Sequence, residues 1–216
     1  MLMEEIIRNT EDFVRKVLGK DTSGHDWYHI DRVRKNALSI CKLENDGNRF
    51  IIEMAALLHD IPDEKLNDSE ETGWKRLKCY IDSLMLPAEI SSRIIDCIDT
   101  VSFKGGTNKE PETIEAKIVQ DADRLDAMGA IGIARTFAYG GKKSRAIYDP
   151  GLPVRESMTA AEYRSGNSSS IHHFYEKLLK LKDRMNTDSA RLLAEKRHHV
   201  MEDFLEQFYS EWNGKA

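Results

Sequence analysis

The sequence predicts an all-α protein, a single compact helical domain over residues 1–216, and three observations carry that expectation. Apolar residues recur at helical spacing along nearly the whole chain, and no stretch alternates in the period-two manner of a half-buried strand. A chain of 216 residues can bury a substantial core as one unit, and no internal repeat or shift of composition marks a boundary. Hydrophobic residues at 40% and charged residues at 32% describe an ordinary globular composition, with no apolar run long enough to cross a bilayer.

The elements follow in order. "MLMEEIIRNTEDFVRKVLGK" is an amphipathic helix over 3–18 with acidic residues near its head. It lacks the basic n-region, apolar h-region and small-residue cleavage site of a secretory signal, so the cytoplasm is the expected location and no membrane partner is expected. Asp21-Thr22-Ser23-Gly24 supplies a turn before a helix over 26–44, which Asn45-Asp46-Gly47 ends. Further helices are expected over 49–60, 70–85, 87–101, 112–127, 129–139, 169–185 and 188–211, with Pro87 where a first-turn proline is tolerated. Two long breaks, 102–111 and 140–168, are polar and partly basic, and loops of that length are usually functional or disordered. Tyr139, Lys142, Lys143 and Arg145, around the start of the second break, are candidates for a lid over an anionic ligand.

Cys41, Cys79 and Cys97 are odd in number, far apart and without C-x-x-C spacing, which fits reduced thiols on helices better than disulfides or a zinc knuckle. A net charge of −5 argues against a broad basic face for a nucleic acid polymer. A small anionic substrate remains compatible, provided metal ions or placed Lys and Arg residues offset the mildly repulsive field. A homo-oligomer is equally compatible with this composition.

Chemistry first shows in "AALLHDIPDEK". Counting back from His59, Ala56, Ala55 and Ile52 fall at i−3, i−4 and i−7, so the imidazole lies on the buried face, and Asp60 follows at once. A buried carboxylate without a partner costs several kcal/mol, so it must be paired, hydrogen-bonded or bound to a metal. In "SGHDWYHIDRV", His29 borders the inward face of its own helix, with Val33 at i+4 and Ile40 at i+11. "AKIVQDADRLDAMGAIG" then puts Asp121, Asp123 and Asp126 on one helix. At about 100° per residue, Asp121 and Asp123 point roughly 200° apart, whereas Asp123 and Asp126 lie about 60° apart and can face one site. Periodicity alone slightly favours Asp126, nearer the apolar centre. Imidazoles with carboxylates are the ligand set of one divalent transition metal ion, and manganese, iron, nickel, cobalt or zinc would suit, manganese being favoured.

His29 with Arg32-Val33, then His59-Asp60, then Ala122-Asp123-Arg124-Leu125 resembles the H…HD…D signature of the HD-domain metal-dependent phosphohydrolase superfamily. Within it, "GHDWYHIDRV", "AALLHDI", "DADRLDAMGAIGIAR" and "HHFYEKLLKLKDRMNT" resemble a bacterial subfamily of small single-domain hydrolases over almost the whole chain. The resemblance implies His29, His59, Asp60 and Asp123 as metal ligands, with Asp126 supporting them, substituting as a ligand or facing the substrate. It implies Asp63 as the residue that positions or deprotonates the attacking water, with Glu64 as the alternative. Lys65, Arg32 and Arg135 are candidate phosphate contacts, the arginines through a planar fork. His25 and Asp26 are expected to support or cap.

A bound metal with open positions would lower the pKa of water and neutralise charge at phosphorus, so hydrolysis of a phosphate ester or anhydride is the expected reaction. After His59-Asp60 the chain reads Ile61-Pro62-Asp63, departing from the pattern of the cyclic-dinucleotide enzymes. No Walker-type loop, G-x-S-x-G elbow or Rossmann fingerprint is present. The resemblance implies a small phosphorylated partner, a nucleotide: a nucleoside triphosphate split to monophosphate and pyrophosphate, or alternatively a nucleoside monophosphate or a phosphodiester. The reading from another class is a non-catalytic module that binds metal and nucleotide.

Overall fold

A computed structural model of the chain describes residues 3–18, 26–63, 66–101, 109–155 and 168–215, and among them there is no strand. The helices are α1 Met3–Leu18, α2 Trp27–Glu44, α3 Arg49–Leu58, α4 Glu70–Ser83, α5 Ala88–Val101, α6 Ile114–Asp126, α7 Gly129–Lys142, α8 Ser170–Glu176 and α9 Asp188–Trp212. The chain sorts into two compact units, Met1–Asp123 and Arg124–Ala216, the division falling within α6.

The first unit is built around α3, which packs against α1, α2 and α5. Every residue of α3 from Phe50 to Leu58 is buried. Its side chains Ile51, Ile52, Met54, Leu57 and Leu58 are wholly inaccessible, each contributing about 1.5–3 kcal/mol relative to exposure. Asn48 starts the helix by accepting from the Phe50 and Ile51 amides. Upstream, Asn45 closes α2 in the left-handed region at φ 53, a conformation asparagine tolerates well. The buried Glu115 of α6 ties three elements together, its Oε1 accepting from the Asn48 amide at 2.9 Å and from Arg93 Nη2 at 2.6 Å. From α5, the Thr100 carbonyl accepts from Gln120 Nε2 of α6 at 2.7 Å. The buried Glu53 of α3 accepts from Arg34 Nε of α2 at 2.8 Å, and Arg34 Nη1 also donates to Glu11 of α1 at 2.7 Å.

In the second unit α7 and α9 pack together, and the Phe137, Phe174 and Phe204 rings meet with centroids 5.7–6.2 Å apart. Here the structure departs from the single helix expected over 169–185. It ends at Glu176 and continues as 3-10 turns Leu178–Lys180 and Lys182–Arg184. The buried positions Ile171, Phe174, Leu178, Leu181 and Met185 alternate spacings of three and four. A 3-10 turn also brings i and i+3 to one face, so that pattern cannot tell the two apart. In the other direction α7 runs to Lys142 rather than stopping at 139, which puts Tyr139 and Lys142 on a helix instead of in a lid loop.

The expected turn at 21–24, His25, Glu64, Lys65, most of the first long break and residues 156–167 of the second lie outside the described residues.

Candidate metal centre

Asp26 is the N-cap of α2, its Oδ1 accepting from the His29 amide at 2.9 Å, so the acid next to His25 does serve as a cap. This starts the helix two residues ahead of His29 and sets the imidazole inward, 1% exposed. His59 terminates α3 while keeping right-handed helical angles, φ −59 and ψ −33. The chain then tightens, Ile61 N donating to Leu58 O and Asp63 N to Asp60 O, both at 3.0 Å. That turn swings Asp60 round to the side on which His59 points.

The result is a convergence of donor atoms. His29 Nε2 lies 3.3 Å from Asp60 Oδ2 and 3.6 Å from Asp123 Oδ1. His59 Nε2 lies 3.4 Å from Asp60 Oδ1 and 3.9 Å from Asp123 Oδ1. The two rings meet edge-on, centroids 5.3 Å apart at 72°. Ligands at about 2.1 Å from one ion stand about 3.0 Å apart at right angles and about 3.4 Å apart in a tetrahedron, so these separations suit a shared cation. The side chains of His29 and His59 are 1% and 2% exposed and that of Asp123 is 33% exposed, so the cluster is walled by histidine and open to solvent beside Asp123.

His59 provides the test of fit. Its Nδ1 lies 2.9 Å from the Ala56 carbonyl, which can only accept, so that nitrogen carries the proton. The lone pair is left on Nε2, a buried atom with no hydrogen-bond partner. A buried polar atom left unpaired costs about 1–3 kcal/mol, and a divalent cation satisfies it. A backbone carbonyl orienting the far nitrogen is the usual support of a metal-ligating histidine. The residues present therefore fit a metal ion.

The carboxylate that joins the imidazoles is that of Asp123, not that of Asp126, which periodicity favoured. Asp126 is 1% exposed and accepts from Arg135 Nη1 at 2.6 Å, a contact that engages both residues. Helical phase alone could not separate them, since both face inward. Asp121 is fully buried and does not belong to the cluster of His29, His59 and Asp123. Arg32 is partly buried, one turn along α2 from His29. Asp63 sits at the end of the turn after His59-Asp60, partly buried, its carbonyl accepting from Asn67 Nδ2 and its amide fixed on Asp60.

Asn67 escaped the sequence reading. Its Nδ2 donates at 2.8 Å to both the Ile61 and the Asp63 carbonyls, clasping the turn that carries the aspartates. Gly73 closes the arrangement from α4. A Cβ there would come within 2.7 Å of Asn67 Nδ2 and of the Pro62 carbonyl oxygen, so only glycine permits the approach. Nothing in the local pattern marks Asn67, because its partners are carbonyls of an irregular turn.

The family model of the HD domain matches residues 26–128, the stretch that contains all four clustered residues. The protein YpgQ of Bacillus subtilis is 41% identical over 197 residues, covering 90% of this chain and 88% of its own length. The crystal structure of an HD-superfamily hydrolase from Bacillus thuringiensis is 52% identical, with a TM-score of 0.78 over 98% of this chain and 99% of its own. The crystal structure of Bacillus subtilis YpgQ in complex with ADP superposes with a TM-score of 0.77 at 36% identity, covering 97% of this chain and 100% of that one. No helix of the described residues is long and apolar enough to cross a membrane. With the clustered histidines and aspartates inside the matched region, the chain belongs to the HD-domain superfamily of metal-dependent phosphohydrolases.

Proposed function

We propose that this protein hydrolyses a nucleotide, cleaving a nucleoside triphosphate to the monophosphate and pyrophosphate, with His29, His59, Asp60 and Asp123 holding one divalent ion, manganese by preference. The observation that carries the reading is the unmet lone pair of His59 Nε2 among two carboxylates and a second imidazole. That the YpgQ structure holds ADP supports a nucleotide as the ligand. When bound, such an ion supplies Lewis acidity toward a phosphoryl oxygen and toward water.

The chain's own residues supply the rest. Ala56 O keeps the His59 imidazole in one tautomer and one orientation. Asp60 places one carboxylate oxygen beside each imidazole, Oδ2 beside His29 Nε2 and Oδ1 beside His59 Nε2, so that the three side chains would hold the ion together. Asp63, fixed at its backbone on Asp60 and Asn67, accepts the proton of the attacking water at its carboxylate. Glu64 is the alternative acceptor, and Lys65 a phosphate contact; Arg32, on the helix that carries His29, is a second cation for the phosphates. Arg135, paired with Asp126, is better suited to holding its own helix than to meeting substrate.

The test is a screen of nucleoside tri-, di- and monophosphates with added manganese, reading phosphate and pyrophosphate release separately. Pyrophosphate from triphosphates is expected. Phosphate from monophosphates alone would instead support a monophosphatase, and tight binding of metal and nucleotide with no turnover the non-catalytic module. On the same preparation, Asp63→Asn should retain metal and nucleotide affinity while turnover falls about 10²- to 10⁴-fold, the range of a lost general base. Parent-rate turnover in Asp63→Asn with failure of Glu64→Gln would move the role to Glu64.

A further inference from the structure

The four residues of the cluster are not held alike. His29 and Asp123 stand within α2 and α6, and His59 keeps helical angles at the end of α3, so a helical backbone fixes where each Cα–Cβ bond points. Of the four, Asp60 alone is carried on the turn that follows α3. Its carboxylate oxygens must nevertheless stay 3.3 Å from His29 Nε2 and 3.4 Å from His59 Nε2. Ligand distances in metal sites hold to within about 0.2 Å, so a turn that wanders takes its carboxylate out of the site.

A side chain from beyond the turn holds it in place. Asn67 Nδ2 donates to the Ile61 and Asp63 carbonyls, both at 2.8 Å, and so binds the peptide groups that follow Asp60. From the side of α3 the turn is closed by Ile61 N donating to Leu58 O and Asp63 N to Asp60 O. Both partners of Nδ2 are carbonyls, which can only accept, so the amide has one orientation, and its Oδ1 is left buried with no hydrogen-bond partner among the described residues. An amide that leaves its own oxygen unmet while making two donor bonds is placed there for those bonds. On the far side α4 backs the clasp. Ser69 Oγ begins that helix by accepting from the Thr72 amide at 3.2 Å. Gly73 next to it has no Cβ, where one would stand 2.7 Å from both Asn67 Nδ2 and the Pro62 carbonyl oxygen.

We propose that Asn67 is a positioning residue of the metal centre: through the Ile61 and Asp63 carbonyls it sets the direction of the Asp60 carboxylate, and α4 backs it by the close approach of Gly73. The proposal rests on the reading of His29, His59, Asp60 and Asp123 as the residues that hold the ion. It assigns Asn67 no contact with the ion or with the substrate. Groups that orient a metal ligand without touching the metal are worth about 10- to 100-fold in metal affinity.

The experiment reads manganese affinity and stability separately on the full chain. Affinity comes from the paramagnetic resonance signal of free manganese during titration, and stability from urea unfolding in EDTA. Asn67→Ala should weaken manganese binding about 10- to 100-fold. Gly73→Ala, whose Cβ would displace the Pro62 carbonyl, should weaken it as well. Asn48→Ala is the comparison: it removes the cap at the opposite end of α3 and should lower stability while leaving manganese affinity at the parent's value. Should Asn67→Ala not fold, the same loss of affinity is expected of Asn67→Gln, which keeps the amide but moves it by one methylene. A folded Asn67 variant that loses stability as Asn48→Ala does, yet binds manganese like the parent, overturns the proposal and leaves the metal centre standing, since the clasp would then serve the fold alone. An equal loss of affinity in Asn48→Ala also overturns it, marking a general loosening of the unit. A parent protein that takes up no manganese overturns the reading of the metal centre, and this proposal with it.

Discussion

Two sets of buried polar groups, one in each compact unit, are arranged in opposite ways. In Arg124–Ala216 one set closes on its own partners: Glu176 on Arg155 and Ser168, His172 on Ser169 at 2.9 Å, Asp126 on Arg135. In Met1–Asp123 the histidines and aspartates of the cluster instead aim their acceptor atoms at a common point, 3.3–3.9 Å apart, and His59 Nε2 is satisfied by nothing. A closed network has no need of a ligand and serves to fix the chain. A convergence of acceptors is stable only with something positive at its centre, so burial of polar residues becomes a functional signal when donors and acceptors fail to match.

The most damaging way to probe that contrast is to remove an acceptor from the convergent cluster. His59→Ala and Asp123→Asn should each abolish retention of manganese and with it phosphohydrolase activity. The parent should gain thermal stability as manganese is added, by about 2.7 kcal/mol at 100 times the dissociation constant, while the variants gain almost nothing. Melting temperature against metal concentration reads this without a substrate. A variant that still binds and is stabilised like the parent would show that the cluster is not the metal centre.

Much of this cluster was legible in the sequence. Apolar period placed His29 and His59 on inward faces because α2 and α3 are regular helices there, each begun by a capping side chain, Asp26 or Asn48. The choice between Asp123 and Asp126 was not legible from phase, because 60° of helix separates them and both are turned inward. It depends on what each meets: imidazoles for one, Arg135 from the following helix α7 for the other. The clasp by Asn67 and the close approach of Gly73 to Pro62 were equally hidden, being contacts to backbone atoms of an irregular turn. The break of α8 into 3-10 turns was missed because buried residues three and four apart satisfy either geometry.

Breaking a closed pair should have a different outcome from breaking the cluster. Asp126→Asn leaves the Arg135 guanidinium facing a neutral amide in a place where the acid is 1% exposed, and loss of one partner of such a buried pair costs about 3–5 kcal/mol. Urea unfolding should show that loss, whereas metal affinity under folding conditions should fall far less than in Asp123→Asn. Asp126→Asn and Arg135→Gln should each lower stability, and the double variant should lose less than the two combined. If Asp126→Asn instead strips the metal and leaves stability intact, the periodicity argument identified the ligand and the contact with Arg135 is secondary.

The smallest effect expected is a pH dependence confined to the second unit, and its sign follows from two residues. Folded His173 stays neutral down to about pH 3, held there by burial, Lys177, Arg145 and Arg155 against the opposing charge of Glu176, while in the unfolded chain it takes a proton near the ordinary histidine value of 6.5. Between those values the unfolded state binds more protons, so stability is intact above about pH 6.5 and falls as the pH is lowered. For Glu176, burial pushes the carboxyl up, but hydrogen bonds from Arg155 and Ser168 and the charge of Arg155 outweigh it, and the net shift is downward from 4.5. Its contribution is present above pH 4.5 and is lost as the pH falls through the lowered value, so the two residues act in succession and in the same direction. One proton changes stability by at most about 1.4 kcal/mol per pH unit. Unfolding free energies at pH 7.5, 6.0 and 5.0 should therefore fall more gently for His173→Gln than for the parent. Over that interval Glu176→Gln should follow the slope of the parent from a lower starting stability. Parallel lines for parent and His173→Gln would mean that the imidazole takes up its proton in the folded protein as readily as in the unfolded one.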